Sequence, residues 1–421
     1  MKLSLARAAL AVCLLSFLSA ANAAEPPPLT LDAALQRAAA THPELAGFLF
    51  ERRAAQAAVE AARQRPLTEL GLSVEDALGS GARSGFDSAQ TTLSLSQLVE
   101  LGDRSARRGE VAQAGQNLLR TDQAARQLDV VAGVARRFVQ VQGQQLRRDR
   151  IEDAQRLAAQ LARTVEERVS AAAAPEAERA RARVAIAEAD LLAEDAGHVL
   201  QTYRAQLAAA MGLAGPDFGA LQAEFFALPT SLTFAELQSR LEHSPDFLYF
   251  ADQTRLADAR LNLARSQARG ELRASLGLRR HETTGDNSFV AGFSLPLFAG
   301  RQAAPRIAQA QAEAQRIALD RQPHWNAARA QLYAHYQEMQ HARHVETVLR
   351  EEILPALNAA LSQTEDAYRR GRYSWLQLSE IQQKLLSARL RRIEATEEFH
   401  INRIEIERLT GESLSSAGDS Q

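Results

Sequence analysis

Histidines in the second half of the chain are the residues whose type and spacing come nearest to forming a chemical site. His341 and His344 lie three residues apart, so on a helix they could share a face and bind a metal ion. No carboxylate completes a recognisable ligand set, and we read both as solvent-facing. His281-Glu282 begins no HExxH motif, and there is no glycine-rich phosphate loop or GxSxG elbow. We therefore predict no enzyme activity, no cofactor and no resident metal.

The N-terminus has the composition of an export signal. Lys2 and Arg7 precede an apolar run from Ala8 to Leu18, and Ala21-Asn22-Ala23 fits the small-x-small cleavage pattern. The run is too short to span a bilayer as a helix. We therefore predict a signal peptide over residues 1–23.

The single cysteine, Cys13, lies inside that signal. The mature chain is therefore predicted to contain neither a disulfide nor a thiolate metal site. A lipid-anchored start at Cys13 is the alternative, although the apolar run continues past it. Without the signal the chain is slightly acidic, which argues against a nucleic-acid partner. No apolar stretch of ~18 residues follows, so no membrane-spanning helix is predicted.

An internal repeat of about 200 residues organises the mature chain. Leu29-Thr30-Leu31 recurs as Leu232-Thr233-Phe234, and the helix start at His42-Pro43 recurs as Ser244-Pro245. Proline occupies the first helical position in both. We predict a first repeat over residues 24–213, a linker over 214–231, a second repeat over 232–411 and a flexible tail over 412–421.

Each repeat contains one predicted β-hairpin. Apolar residues alternate from Thr68 to Asp76 and again, after a loop of small and polar residues, from Thr91 to Gln97. The second repeat has the same pattern from Glu271 to Arg279 and from Phe289 to Leu297. A period of two is typical of strands, so the hairpins are predicted at about residues 68–97 and 271–297.

A long helical pattern follows each hairpin. We predict the long helices over about residues 103–212 and 301–410, with breaks near Pro175 and Gly371. The first rod of the second repeat is placed from about Arg301 to Arg370, with Pro305, Pro323 and Pro355 inside it. Apolar residues at three- and four-residue steps favour coiled-coil-like packing. The predicted fold class is mostly α with a small β part, in two tandem structural repeats.

The four predicted strands have consequences for assembly. Strands of ~9 residues can cross an outer membrane when tilted, but four strands cannot close a barrel. Open edges in lipid leave backbone groups without hydrogen bonds. Three copies would supply twelve strands, whereas the eight strands of two copies make too narrow a conduit. The strands therefore favour a homotrimer in outer-membrane lipid. The alternative is a soluble periplasmic coiled-coil scaffold or adaptor.

Two motifs of the second repeat resemble those of a known family. Phe293-Ser294-Leu295-Pro296-Leu297-Phe298-x-Gly300-Arg301 resembles a strand-to-helix junction, and Tyr368-Arg369-Arg370-Gly371-Arg372-Tyr373-Ser374-x-x-x-Leu378 resembles a periplasmic-tip motif. Both are similar to motifs of the TolC-type outer-membrane efflux proteins, the outer membrane factors of tripartite efflux pumps. In the first repeat, Leu95-Ser96-Gln97 precedes Gly102, and Arg168-Val169-Ser170-Ala171 lies at the first tip.

The resemblance implies a trimer with a twelve-stranded outer-membrane β-barrel and a periplasmic α-helical barrel. The tip would be closed at rest and would open when a periplasmic adaptor (membrane fusion) protein and an inner-membrane RND pump engage. Such a protein is a passive exit duct in the outer membrane of a Gram-negative bacterium. A channel for type I protein secretion remains an alternative.

The resemblance also assigns residues by position. Tyr368 matches the tyrosine of the closed constriction, and Glu380 falls where a pore-facing acidic residue is common. Gln377 and Tyr373 stand where the best-known relative has an acidic residue and an arginine. The remaining assignments are the adaptor-docking turns Ala171, Ala174, Gly371 and Ser374, and the strand-to-helix junctions Gly102, Pro296 and Gly300.

Simpler roles stay open for three of these residues. Tyr368 could pack between coils, Glu380 could lie on an ordinary solvated face, and Gly371 could serve only as a helix C-cap. The first tip, Pro175-Glu176-x-Glu178-Arg179-Ala180, resembles the CzcC-like heavy-metal branch. That hint favours a cobalt–zinc–cadmium or copper–silver pump as partner, with drugs and other organic molecules as the alternative cargo.

Overall fold

The computed structural model of this protein describes residues 27–230 and 232–411. The predicted signal peptide, with Cys13, and the predicted tail lie outside the described residues. Within these limits, no helix combines the length and the apolarity needed to cross a membrane.

The elements follow the same order in both halves: a short helix, a longer helix, a hairpin, a very long helical segment and a returning helix. The first half contains α1 (Leu31–Thr41), α2 (Pro43–Arg63), β1 (Thr68–Glu75), a 3₁₀ turn (Gly81–Arg83), β2 (Gln90–Glu100), α3 (Arg104–Ser170) and α4 (Glu176–Ala210). The second contains α5 (Phe234–Leu241), α6 (Pro245–Gln267), β3 (Glu271–His281), β4 (Asn287–Ser294), α7 (Ala299–Val348), a π-helical turn (Leu349–Ile353), α8 (Leu354–Arg369) and α9 (Trp375–Thr410). The predicted fold class is confirmed.

Local sequence explains where the short helices begin. Thr233 caps α5, accepting a hydrogen bond from the backbone N–H of Glu236 while the Glu236 carboxylate accepts one from the Thr233 backbone. This reciprocal pair is a capping box. Pro43 and Pro245 start α2 and α6, where the missing proline N–H would have no helical partner in any case.

The rod predicted from Arg301 to Arg370 is helical from Ala299 to Arg369, with one π-helical turn inside it. Helix α7 tolerates Pro305 and Pro323, but a π-helical turn separates it from α8. Pro355 then occupies the first turn of α8. Because proline lacks an N–H and its ring crowds the preceding turn, the wider π-helical turn before Pro355 lets the rod accommodate it.

The two hairpins form one antiparallel four-stranded sheet in the order β1-β2-β3-β4. Strand β2 of the first half pairs with β3 of the second, placing Leu93 opposite Leu278 and Leu95 opposite Leu276. The outer edges of β1 and β4 have no partner strand in the part of the chain that the structure describes.

The sheet has two chemically different faces. Aligned leucine and phenylalanine side chains cover one face, and each is about half or more exposed: Leu70, Leu72, Leu93, Leu95, Leu276, Leu278, Phe289 and Phe293. Most residues between them are small or polar, such as Gly71, Ser94 and Gly277, which lie side by side on the opposite face. An apolar face of this kind needs an apolar environment.

The chain divides into two compact units. One contains the described residues of Met1–Thr41 together with Val134–Ala227 and Val345–Glu397; the other contains His42–Gly133, Leu228–His344 and the described residues of Glu398–Gln421. The first unit has two buried apolar clusters, one centred on Phe138, Leu207 and Phe218. Its other cluster surrounds the two long-helix turns. The second unit contains the sheet and a cluster around Leu332 and Phe399.

Candidate functional site

The turn between α8 and α9 is a glycine-capped helix end. Gly371 has a φ of +73°, and the N–H of Arg372 donates to the carbonyl oxygen of Ala367 over 2.9 Å. The N–H of Gly371 donates to the carbonyl oxygen of Tyr368, also over 2.9 Å. This pattern is a Schellman motif, so Gly371 has the C-cap role that its position allowed.

The turn between α3 and α4 has the same backbone with a different residue at its centre. Ala172 has a φ of +54°, and the N–H of Ala173 donates to the carbonyl oxygen of Arg168 over 2.8 Å. Ala172 is therefore the geometric counterpart of Gly371. Ala171, the residue predicted for this docking turn, lies one position before that counterpart. Because alanine carries a Cβ, its left-handed backbone is strained.

Tyr368 is buried between helices within the chain. Its side chain is 1% exposed and belongs to an apolar cluster with Val165, Val169 and Leu378. Trp375 meets its ring edge-on, with centroids 6.5 Å apart. Tyr368 thus adopts the packing role that the sequence left open beside the constriction role.

Arg168 connects the two turns. Its guanidinium lies over the Tyr368 ring, 4.4 Å from the centroid, and donates hydrogen bonds to the carbonyl oxygens of Tyr368 and Ala173. A cation stacked on an aromatic face gains electrostatic energy, and the planar guanidinium can do this while donating sideways. One side chain therefore holds the end of α8 against the first turn.

The Tyr368 hydroxyl makes a second connection between the two halves. It donates to Oε2 of Glu178, on α4, over 3.0 Å. Burial, followed by the hydrogen bond to Glu178, raises the pKa of Tyr368 to about 12 from an ordinary 10.0. The phenol is therefore neutral, and a donor, across the physiological pH range. We call Arg168, Tyr368 and Glu178 the turn lock.

The other predicted constriction residues are exposed and do not join this cluster. Gln377 caps α9, its side-chain oxygen accepting from the Ser374 N–H over 2.9 Å. Glu380 pairs with Lys384 one turn later over 2.7 Å, and that hydrogen bond lowers the pKa of Glu380. Tyr373 is 46% exposed.

The predicted docking turns lie largely on the surface. Ala171, Gly371 and Ser374 are exposed, whereas Ala174 is half-buried against the lock's apolar cluster.

The strand-to-helix junctions contain one glycine that the backbone requires. Gly102 has a φ of +81°, and a Cβ there would collide with the side chain of Arg269. Pro296 packs over Gly270. Gly300, by contrast, lies in open space inside the first turn of α7. The left-handed residue at the second junction is Phe298, with a φ of +63°.

The histidines are dispersed. His341 and His344 are exposed on α7, His335 Nδ1 lies 2.9 Å from the Asn402 amide oxygen, and His324 packs on the Phe250 ring. Among the described residues, no group of three or more histidine, cysteine, aspartate or glutamate side chains is arranged to hold a metal ion.

The second half of the chain matches a known protein family. The sequence profile of the outer membrane efflux protein family matches residues 237–412, which include β3, β4 and the Tyr368 turn. Residues 237–412 therefore match this family, and the predicted resemblance to it is confirmed. The family consists of channel proteins and not enzymes.

The chain is also similar to a characterised relative over most of its length. It is 28% identical over 375 residues to the cobalt-zinc-cadmium resistance protein CzcC of Cupriavidus metallidurans, covering 86% of this chain and 85% of CzcC. The similarity therefore extends to the first half, which the family profile does not match.

Solved structures share the fold at low sequence identity. CusC has a TM-score of 0.77 at 15% identity and covers 91% of this chain and 92% of its own. OprN, an outer-membrane channel, has a TM-score of 0.77 at 18% identity, and the match covers 91% of this chain and 90% of OprN. VceC of Vibrio cholerae has a TM-score of 0.75 at 15% identity, with coverages of 91% and 96%.

Sequence reasoning missed two members of the turn lock. Arg168 and Glu178 both stand in motifs quoted for the first tip, but neither was given a role there. A signal existed: aligning the two repeats on Ala172 and Gly371 brings Arg168 to the level of Ala367, next to Tyr368.

Proposed function

We propose that this protein is the trimeric outer-membrane exit channel of a tripartite efflux system driven by an inner-membrane RND pump. The observation that carries the proposal is the sheet. One face exposes a continuous apolar surface, and both outer edges lack a partner strand among residues 27–230 and 232–411. Lipid satisfies such a face, and closure with further copies satisfies such edges.

Three copies are enough to close the sheet into a barrel. The β1 edge of one copy would pair with the β4 edge of the next, giving twelve strands and no free edge. The small and polar face, with Gly71, Ser94 and Gly277, would then line an aqueous interior. This arrangement matches the lumen of transmembrane barrels, which is polar while the outside is apolar.

The turn lock would hold the channel closed at its periplasmic end. Tyr368 acts in this proposal by joining α8 to α4, because its buried ring does not face an aqueous pore within the chain. Glu380 and Tyr373 are exposed and remain available to line the constriction. The exposed turn residues Ala171, Gly371 and Ser374, with half-buried Ala174, form the surface that a periplasmic adaptor protein would engage.

The cargo follows from the relative's name. CzcC is a cobalt-zinc-cadmium resistance protein, and heavy-metal cations are the substrate we propose for this system. Deleting the gene should sensitise its host to cobalt, zinc or cadmium salts more than to organic drugs. The opposite order of sensitivities would reassign the cargo, and loss of a secreted protein would favour type I secretion.

Fractionation tests the channel itself. The full-length protein should be recovered with outer membranes, require detergent for extraction and have the mass of a trimer. In planar bilayers it should form discrete conductance steps. Recovery as a water-soluble monomer that forms no conductance would contradict the proposal and favour a periplasmic scaffold.

A further inference from the structure

The two ends of the sheet differ in charge. We call the end from which the long helices depart the helix-side end, and the end with the hairpin loops the loop-side end. The antiparallel order brings the start of β1, the end of β2, the start of β3 and the end of β4 to the same end. Arg65 precedes β1, Arg269 precedes β3, and Arg301 follows β4. All three side chains are exposed.

These three arginines lack carboxylate partners in the described part of the chain, since the neighbouring carboxylates are taken by other arginines. Glu271 pairs with Arg104, and Glu100 pairs with Arg108. Glu69 pairs with Arg273 over 2.8 Å. Asp103, at the same end, forms no ion pair within the described residues, and neither does Arg63, so cations without a carboxylate partner outnumber such anions here.

The opposite end of the sheet is neutralised. Arg83 pairs with Asp76 over 2.8 Å, Arg280 with Glu282 over 2.8 Å, and Arg279 with Glu75 over 3.2 Å. The excess of positive charge is therefore confined to the end from which the long helices depart.

Exposed apolar side chains accompany the unpaired arginines. Leu67 is 84% exposed, Leu297 76% and Phe298 74%. Leu67 directly follows Pro66 and Arg65, and the Arg301 guanidinium lies 5.5 Å from the centre of the Phe298 ring. Arginines beside apolar anchors are typical of a membrane–water interface, where the stem lies along apolar surface and the guanidinium reaches the headgroups.

Gly102 helps to position one of these cations. Its missing Cβ leaves the space through which the stem of Arg269 passes. The stem is thus held across the junction while its guanidinium has no protein partner among the described residues. A guanidinium presents a planar fork that matches the oxygens of a phosphate.

We propose that Arg65, Arg269 and Arg301 form a band of cations that binds the phosphates of anionic glycerophospholipids, in the leaflet that faces the long helices. This inference rests on the proposed membrane insertion of the sheet. The bound lipids would fix the depth of the sheet in the membrane, with acyl chains against Leu67 at one edge of the sheet and against Leu297 and Phe298 at the other. The neutral loop-side end makes no such contact.

Lipid titration in detergent tests the site without requiring channel activity. The full-length protein is titrated with short-chain phosphatidylglycerol, phosphatidylcholine of the same chain length, and inorganic phosphate, and bound lipid is counted by native mass spectrometry. We expect phosphatidylglycerol to bind more tightly than phosphatidylcholine. Each arginine removed should weaken phosphatidylglycerol binding about fivefold.

A matched pair of double variants separates the site from overall charge. R65Q/R269Q removes two unpaired cations at the helix-side end, and R83Q/R280Q removes two paired cations at the other end. Only the first should weaken phosphatidylglycerol binding. Equal losses in both variants, equal binding of the two lipids by the wild type, or saturation by inorganic phosphate at the same concentration would each overturn the proposal. Failure to conduct in any bilayer would instead count against the channel.

Discussion

The hydroxyl of Tyr368 offers a one-atom test of the turn lock. Y368F removes the hydrogen bond to Glu178 but keeps the ring under Arg168 and beside Trp375. We expect the closed state to lose stability and the channel to open more often. The apolar cluster around the ring should be preserved, so the variant should fold.

The type of hydrogen bond sets how much stability the closed state loses in Y368F. A hydrogen bond to a charged group contributes about 1.5–3 kcal/mol. Glu178 is half-buried, which places the value near the lower bound of ~1.5 kcal/mol, or about tenfold in the closed-to-open ratio for one protomer. If three protomers open together, the ratio would change by about a thousandfold.

Single-channel recording in planar bilayers measures this change as a shorter closed lifetime. E178A should have a similar effect, and Y368F should then add little in the E178A background, because the two residues share one interaction. Y373F is the matched control: Tyr373 lies in the same turn, but its hydroxyl has no partner among the described residues. Y368F effects of equal size with and without Glu178 would refute the lock.

Truncating the whole side chain should have a larger effect. Y368A removes the ring from a buried cluster, and such changes typically cost ~3–5 kcal/mol. We expect higher conductance from this variant, caused by loss of the connection between α8 and α4. Because the ring is buried, widening of the pore is not the reason. Conductance and open probability identical to those of the wild type would remove Tyr368 from the closing mechanism.

Three further outcomes are expected. The raised pKa of Tyr368 favours the neutral phenol in the folded state. The contribution of the Tyr368 hydroxyl to folding stability should therefore be fully present below pH 10.0 and lost as the pH rises through about 12. The difference in thermal stability between wild type and Y368F should be constant from pH 6 to 9 and should fall above pH 10. A172G should stabilise the protein by about 1 kcal/mol in chemical unfolding by relieving a left-handed alanine, whereas A171G should stabilise nothing. L72R, on the apolar face, should cost ~2–4 kcal/mol and reduce recovery of inserted protein, while S73R on the opposite face should be tolerated; equal recovery of the two variants would count against lipid on that face.

Much of the fold can be read from the sequence because its signals are local. A period of two marks β1 to β4, and proline or glycine marks helix starts and ends at Pro43, Pro245 and Gly371. The pairing of β2 with β3 is different, because it joins strands from separate repeats. Only the shared apolar face, with Leu93 opposite Leu278, favours that register, and its effect appears once the strands are side by side.

The turn lock was less predictable because its contacts, like the pairing of β2 with β3, join residues that are distant in sequence. Gly371 predicts a left-handed C-cap because glycine adopts that conformation freely. Ala172 adopts it as well, but nothing in an alanine run distinguishes one alanine from the next. Arg168 resembles any solvated arginine until tertiary packing brings the Tyr368 ring beneath it.

The two turns have the same backbone conformation, but they contribute different side chains to the turn lock. Aligning Ala172 with Gly371 places Val169 opposite Tyr368 and Glu176 opposite Trp375, so only the second turn carries aromatic rings. The first turn supplies the polar partners instead, through Arg168 and Glu178. Both polar contacts therefore connect one repeat to the other, and neither can form within a single helical hairpin. Opening that separates the two hairpins must break both contacts together, which would make the transition cooperative within each protomer.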